Sequence, residues 1–89
     1  MYEIYIEDSL KKILKKLYKK NRITYEAIMK KIEEIIKYPQ HYKPLRHDLK
    51  NIRRVHIGHF ILVFKIDEDN KIVKFLDFDR HDNIYKKRF

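Results

Sequence analysis

Arg54, His56, Arg80, His81 and Tyr85 are the side chains of this sequence whose types and spacing could do chemistry together. Two of them alternate along Arg53-Arg54-Val55-His56-Ile57-Gly58-His59-Phe60-Ile61-Leu62-Val63-Phe64, and three lie in Asp79-Arg80-His81-Asp82-Asn83-Ile84-Tyr85. Fixed cations, imidazoles and a phenol are the groups that cleavage of an RNA phosphodiester needs. RNA carries its own nucleophile, the 2′-hydroxyl. A base must take that proton, a cation must stabilise the charge added to phosphorus, and an acid must protonate the departing 5′-oxygen; none of this requires a metal or other cofactor.

Tyr85 is expected nearest the 2′-oxygen. A free phenol is only about 0.1% ionised at neutral pH, so a base role requires help from Arg54, Arg80 or Lys86. Otherwise Tyr85 orients the hydroxyl or stacks on a base, and His81 or His56 takes the proton. Arg54 and Arg80 are the expected phosphate clamps, because guanidinium binds phosphate oxygens in bidentate fashion. His56 or a protonated His81 is the expected acid. The plain alternatives are a tyrosine anchoring the tail to the sheet, a cross-strand Arg54, and an Arg80 paired with Asp79 or Asp82. His56 and His59 flank a glycine turn and are expected on opposite faces, so no metal site is expected there.

These groups sit in a chain of 89 residues with a formal charge of +9 and no cysteine. That length implies one domain, residues 1–89, with a thin core that buries about 60–65% of the unfolded surface. No disulfide or thiolate site is available. The acidic start (Glu3, Glu7, Asp8) is unlike a signal peptide and no apolar run approaches a membrane span, so the expected compartment is the cytoplasm.

The charge is clustered. Residues 9–22 hold seven cations and no acid, residues 41–54 five cations against one acid, and residues 80–89 four against one. Three basic blocks in one small domain imply a polyanionic partner. Lys11, Lys15, Arg46, Lys50, Arg53, Lys86 and Lys87 are the expected RNA contacts, with a solvated lysine face as the plain alternative.

The elements that must position these groups follow from periodicity. Residues 2–7 alternate and are β-rich, predicting a strand. Asp8 or Ser9 is the expected cap of a helix to about Lys20, whose apolar stripe is Leu10, Ile13, Leu14 and Leu17. A second helix is expected from Thr24 to about Lys37, with Ile28, Ile32, Ile35 and Ile36 buried and Pro39 ending it. Gly58-His59 predicts a two-residue turn with glycine first. It pairs Ile57 with Phe60, His56 with Ile61, Val55 with Leu62 and Arg54 with Val63. Val55, Ile57, Phe60, Leu62, Phe64 and Ile66 then form an apolar face for the helices. Arg54, His56, Ile61, Val63 and Lys65 form a face expected to be open. After a turn at 67–70, Lys71 to Asp77 is expected as a further strand. The predicted class is α+β, in the order β-α-α-β-β-β, with a helical hairpin packed on one face of an antiparallel-rich sheet.

Layout and motifs together resemble the RelE/ParE superfamily of toxins, the RelE branch best, over essentially the whole chain. The hairpin from Arg54 to Phe64 is similar to a family form that alternates basic and apolar residues before a glycine. The tail Asp79-Arg80-His81-Asp82-Asn83-Ile84-Tyr85-Lys86-Lys87-Arg88 is similar to a family run of Asp-His-Arg-Asp-Asn-Ile-Tyr followed by basic residues. Two positions depart: the hairpin arginine of relatives falls on Ile61, and their His-Arg order is inverted to Arg80-His81. His56 stands where relatives have Lys or Arg. The resemblance implies the toxin of a type II toxin–antitoxin pair. Such a toxin is a metal-independent mRNA endonuclease acting on the ribosome and its RNA, held in a heteromeric complex by a RelB-like antitoxin. The same resemblance leaves open a ParE-like topoisomerase inhibitor or a relative that only binds RNA or its antitoxin.

Overall fold

The computed structural model describes residues 1–46 and 51–89. The order is β1 (Glu3–Ile6), α1 (Asp8–Lys20), α2 (Arg22–Ile35), a 3-10 turn (Pro39–His41), β2 (Ile52–Ile57), β3 (Phe60–Asp67), β4 (Ile72–Arg80) and α3 (His81–Lys86). The expected α+β class and order hold, with a terminal helix added. The four strands lie in the order β1-β4-β3-β2; β1 runs parallel to β4 and the other pairs are antiparallel.

Helix α1 forms because Leu10, Leu14 and their neighbours recur on one side while lysines occupy the other. Leu10 and Leu14 are buried. Its cap is Glu7, through the backbone alone, so neither Asp8 nor Ser9 serves; the Lys11 N–H bonds to the Glu7 carbonyl. Helix α2 begins two residues before Thr24. The Asn21 side chain accepts from the Thr24 N–H at 3.2 Å and is the cap. Ile28, Ile32 and Ile35 are its buried stripe.

The hairpin register is as the glycine turn predicts, from Ile57 opposite Phe60 to Arg54 opposite Val63. Gly58 takes φ 63°, the left-handed value that the first turn position requires. Val55, Ile57, Phe60, Leu62, Phe64 and Ile66 meet Leu10, Leu14, Ile28, Ile32 and Ile35 in the main core. Among the described residues, no helix is long and apolar enough to cross a membrane.

The other face of the sheet is not open. Ile61 and Val63 are fully buried there in a cluster with Leu45, Ile52 and Ile84, with Leu76 and Tyr85 packed against it. Three features of β4 and α3 produce this. First, β4 continues to Arg80, three residues past the expected end. Second, its pairing with β3 shifts by one between Val63 and Phe64, so Asp77 faces Val63 while Phe75 faces Phe64. The extra residue, Leu76, joins the second core. Third, α3 lays Ile84 onto that core.

Candidate active site on the second sheet face

Arg54 and His56 are successive members of one face of β2, because strand side chains alternate. They lie opposite Val63 and Ile61. The guanidinium Nη1 of Arg54 donates to Nε2 of His56 at 3.1 Å. Helix α3 brings the rest. His81 and Tyr85 are four residues apart and share one helical side. The His81 ring stacks on His56 with centroids 6.1 Å apart and planes 10° off parallel, and meets the Tyr85 ring at 4.7 Å. Arg54, His56, His81 and Tyr85 therefore form a continuous chain of contacts. His56 and His81 are exposed, and Tyr85 is half-buried, its ring against the second core with Ile61 and Val63.

The contacts constrain the imidazoles. Arginine has only donors, so Nε2 of His56 must be the lone-pair nitrogen while this bond stands, and the hydrogen is on Nδ1. Nδ1 of His81 lies 3.4 Å from the Asp82 carboxylate, an acceptor, which leaves Nε2 of His81 as the atom that gives or takes a proton.

A carboxylate–lysine clasp docks α3. Lys87 Nζ bonds to Oδ2 of Asp77 and, at 3.0 Å, to Oδ2 of Asp79; Asn83 Nδ2 donates to Oδ1 of Asp79 at 3.1 Å. Desolvation pushes the Asp79 carboxyl up, but hydrogen bonds from Asn83, the Arg80 N–H and Lys87 outweigh it and hold the group below its ordinary value. For Lys87, desolvation pushes down, and the bonds and field of Asp77 and Asp79 outweigh it, so the ammonium is held above its ordinary value.

The remaining expected site residues do not all converge here. Arg80 pairs with Phe60, and its guanidinium lies 5.9 Å over that ring, on the main-core face opposite the cluster. Alternation explains it, since Asp79 takes the cluster's face and its neighbour must take the other. Arg53 is also on the main-core face, donating to the carbonyls of Gln40 and Tyr42, so it pins the 3-10 turn rather than standing out toward a partner. Lys87 is committed to the two carboxylates. Lys11, 3.9 Å from Asp8, and Lys15 are exposed on α1, across the sheet from the cluster. Lys86 is exposed on α3 and Arg46 is exposed after the 3-10 turn. Lys50 lies outside the described residues.

The sequence reading missed Asp77, Asp79, Asn83 and Ile84 as the groups that seat the tail. One signal was there: His81 and Tyr85 are four residues apart, one helical turn, with Ile84 as the apolar member.

Comparison with known proteins bears on this arrangement. Residues 4–85 match the family model described as the ParE toxin of the type II toxin–antitoxin system parDE. A protein of Methanocaldococcus jannaschii described as "Putative toxin RelE4" is 58% identical over 89 residues, covering 99% of this chain and 95% of its own length. Among solved structures, the isolated RelE toxin of E. coli superposes with a TM-score of 0.76 at 15% identity, over 97% of this chain and 93% of that one. A chain of the RelBE2 toxin–antitoxin complex of Mycobacterium tuberculosis does so with a TM-score of 0.74 at 22% identity, over 90% and 98%. At those identities the structural likeness is one of fold.

Proposed function

The chain belongs to the ParE toxin family of type II toxin–antitoxin systems, and from that premise we propose that it is a metal-independent endoribonuclease. Its substrate is messenger RNA on the ribosome, in the cytoplasm, and a RelB-like antitoxin holds it inactive in a heteromeric complex. The partner is carried over from the solved RelBE2 complex, whose toxin shares this fold. The observation that carries the chemistry is the contact chain Arg54–His56–His81–Tyr85 on the second sheet face, with both imidazoles exposed.

Each group has a role. Arg54 binds a non-bridging phosphate oxygen, and in turning to it releases Nε2 of His56. His56 then takes the 2′-hydroxyl proton as the 2′-oxygen bonds to phosphorus. The bond from phosphorus to the 5′-oxygen breaks, and His81 gives the leaving oxygen a proton from Nε2. The products are a 2′,3′-cyclic phosphate and a 5′-hydroxyl, with one proton taken and one returned. Tyr85 orients the 2′-hydroxyl and keeps His81 in place. Lys86, beside Tyr85 on α3, meets the neighbouring backbone, and Lys11, Lys15 and Arg46 meet ribosomal RNA from other faces.

Incubation of purified protein with translating ribosomes, followed by mapping of mRNA 5′ ends, tests this reading. New 5′-hydroxyl ends are expected, and intact message at high protein concentration would overturn it. One observation favours a second reading, a topoisomerase inhibitor of the ParE kind. The hairpin position that bears arginine in RelE-like relatives is Ile61, which is fully buried and offers no charge. Inhibition of supercoiling with no RNA cleavage would decide for that reading.

A further inference from the structure

A second cationic site lies on the same sheet face, at the other end from His56. Lys65 on β3 and Lys74 on β4 are directly opposed in the antiparallel register. Tyr5 of β1 is the next partner outward from Lys74, and Ile52 of β2 the next from Lys65. The row across the face is therefore Tyr5, Lys74, Lys65, Ile52. Two ammonium groups directly opposite each other repel. Among the described residues, neither has a carboxylate within ion-pair distance. Lys74 acts on Asp67 only through its field, and the nearby Asp77 is already bonded to Lys87.

The two lysines line a cleft of about 620 Å³ together with Arg88 and Phe89, over Ile52 and Leu76; Asp77, bonded to Lys87, and Glu7 are the carboxylates at its edge. Tyr5, beside Lys74, is 48% exposed, and Phe89 is 39% exposed. We propose that this cleft is a second phosphate subsite, which holds a single-stranded RNA backbone between Lys65, Lys74 and Arg88 while a neighbouring base stacks on Tyr5. Three cations, Lys65, Lys74 and Arg88, line the cleft against the carboxylates of Glu7 and Asp77, the latter already bonded to Lys87, so the balance favours a bound phosphate. Exposed aromatic rings interleaved with cations favour a nucleic-acid strand over an acidic peptide, because every base offers a face to stack. The proposal rests on the reading of the chain as an RNA-acting toxin, and adds where a strand is held away from the bond that breaks.

The test is binding of a fluorescent 2′-O-methyl RNA octamer, which has no free 2′-hydroxyl and cannot be cut. Its outcome is therefore independent of whether the protein is a nuclease. Lys65→Gln with Lys74→Gln is expected to weaken binding on the order of tenfold and to reduce the slope of log K against log salt by about 1.4, or about 0.7 for each lost phosphate contact on a single strand. Tyr5→Leu is expected to weaken binding roughly tenfold, and Lys74→Arg to retain it. The melting temperature of the double glutamine variant should equal or exceed that of the wild type, because a repulsion has been removed. Unchanged affinity and slope in the double variant would overturn the proposal. So would an equal loss in Lys12→Gln with Lys16→Gln, which removes the same charge from α1. Displacement of the octamer by hexaglutamate or by 5′-AMP at comparable concentration would show a peptide or mononucleotide site instead.

Discussion

Arg54 fixes the state of His56: its Nη1 donates to Nε2 across 3.1 Å, so the imidazole carries its hydrogen on Nδ1 as long as the pair stands. Long-range proton–nitrogen spectra at pH 8 should show His56 almost wholly in that tautomer, and Arg54→Ala should shift it toward the Nε2–H form ordinary in solvent. A wild-type spectrum dominated by the Nε2–H form would break the assignment. In the ribosome assay, loss of the same guanidinium is expected to lower cleavage by about 10²–10³, the typical effect of removing one donor to a developing oxyanion.

The two imidazoles have opposite requirements. A base works unprotonated, so its limb of the rate profile rises with pH; an acid works protonated, so its limb falls. His56→Gln should flatten the acid limb of single-turnover cleavage and His81→Gln the alkaline limb, each with a loss of about 10²–10⁴ in rate. Identical profiles for both variants would mean that neither histidine has the role given to it.

Tyr85 and Arg80 separate the sheet faces. Tyr85→Phe keeps the ring packing and removes only the hydroxyl, so cleavage should drop by at least tenfold while the melting temperature holds. Arg80→Ala should leave cleavage within about threefold, because its guanidinium lies over Phe60 on the other face. A large loss in Arg80→Ala would show that α3 moves far enough on the ribosome to bring that side chain round.

The clasp gives a pH window for stability. Asp79 is held below its ordinary value of 3.8, so its contribution is complete well above that pH and is lost as pH falls through its folded value. Lys87 is held above its ordinary 10.5, so its contribution is complete below that pH and is lost as pH rises through its folded value. Between these limits Lys87→Met should cost about 1 kcal/mol, a modest figure because the pair is partly solvated. The His81 and Tyr85 ring resonances should broaden or shift in the same variant. Chemical denaturation at pH 3, 7 and 11 checks the sign: the gap between wild type and variant should be widest at pH 7.

Ile61→Arg restores the side chain of relatives at a position with no exposure here. A guanidinium there would sit in the second core, and the carboxylate opposite it, Asp79, is already bonded to Asn83 and Lys87. We expect a loss of about 3 kcal/mol or more, or release of α3, visible as increased amide exchange at residues 81–86. A stable variant with α3 still docked would contradict the packing described for the second core.

Much of the first sheet face was legible in the sequence. A two-residue glycine turn sets the register of both flanking strands, and period-two alternation then assigns each side chain from Val55 to Ile66. The α2 stripe was equally direct, because Ile28, Ile32 and Ile35 recur at helical spacing. The second face was not. Ile61 and Val63 sat among Arg54, His56 and Lys65 and read as apolar residues on a wet surface. Their cover is a six-residue helix, too short to show a periodic stripe, held by ion pairs eight and ten residues apart in sequence. The bulge at Leu76 also breaks the alternation, so Asp77 and Asp79 read as a strand ending rather than as the seat of the tail. Arg54 and His56 were found together because a strand places alternate residues on one side. The placement of Arg80 on the other face was not legible, because it depends on how far β4 runs.

The parallel pairing of β1 with β4 sets when the sheet can be completed. Glu3 through Ile6 have no sheet partner until residues 72–75 have been synthesised, and the helix carrying His81 and Tyr85 follows later still. A contact spanning so much sequence comes late in folding, after the loop-closure entropy has been met. A growing copy thus has its β2–β3 hairpin before β1 has a partner, and gains Tyr85 last. A chain stopped at residue 70 should lack the strand signal of the full sheet in circular dichroism. The sheet edge formed by β1 is therefore closed only by the last third of the chain.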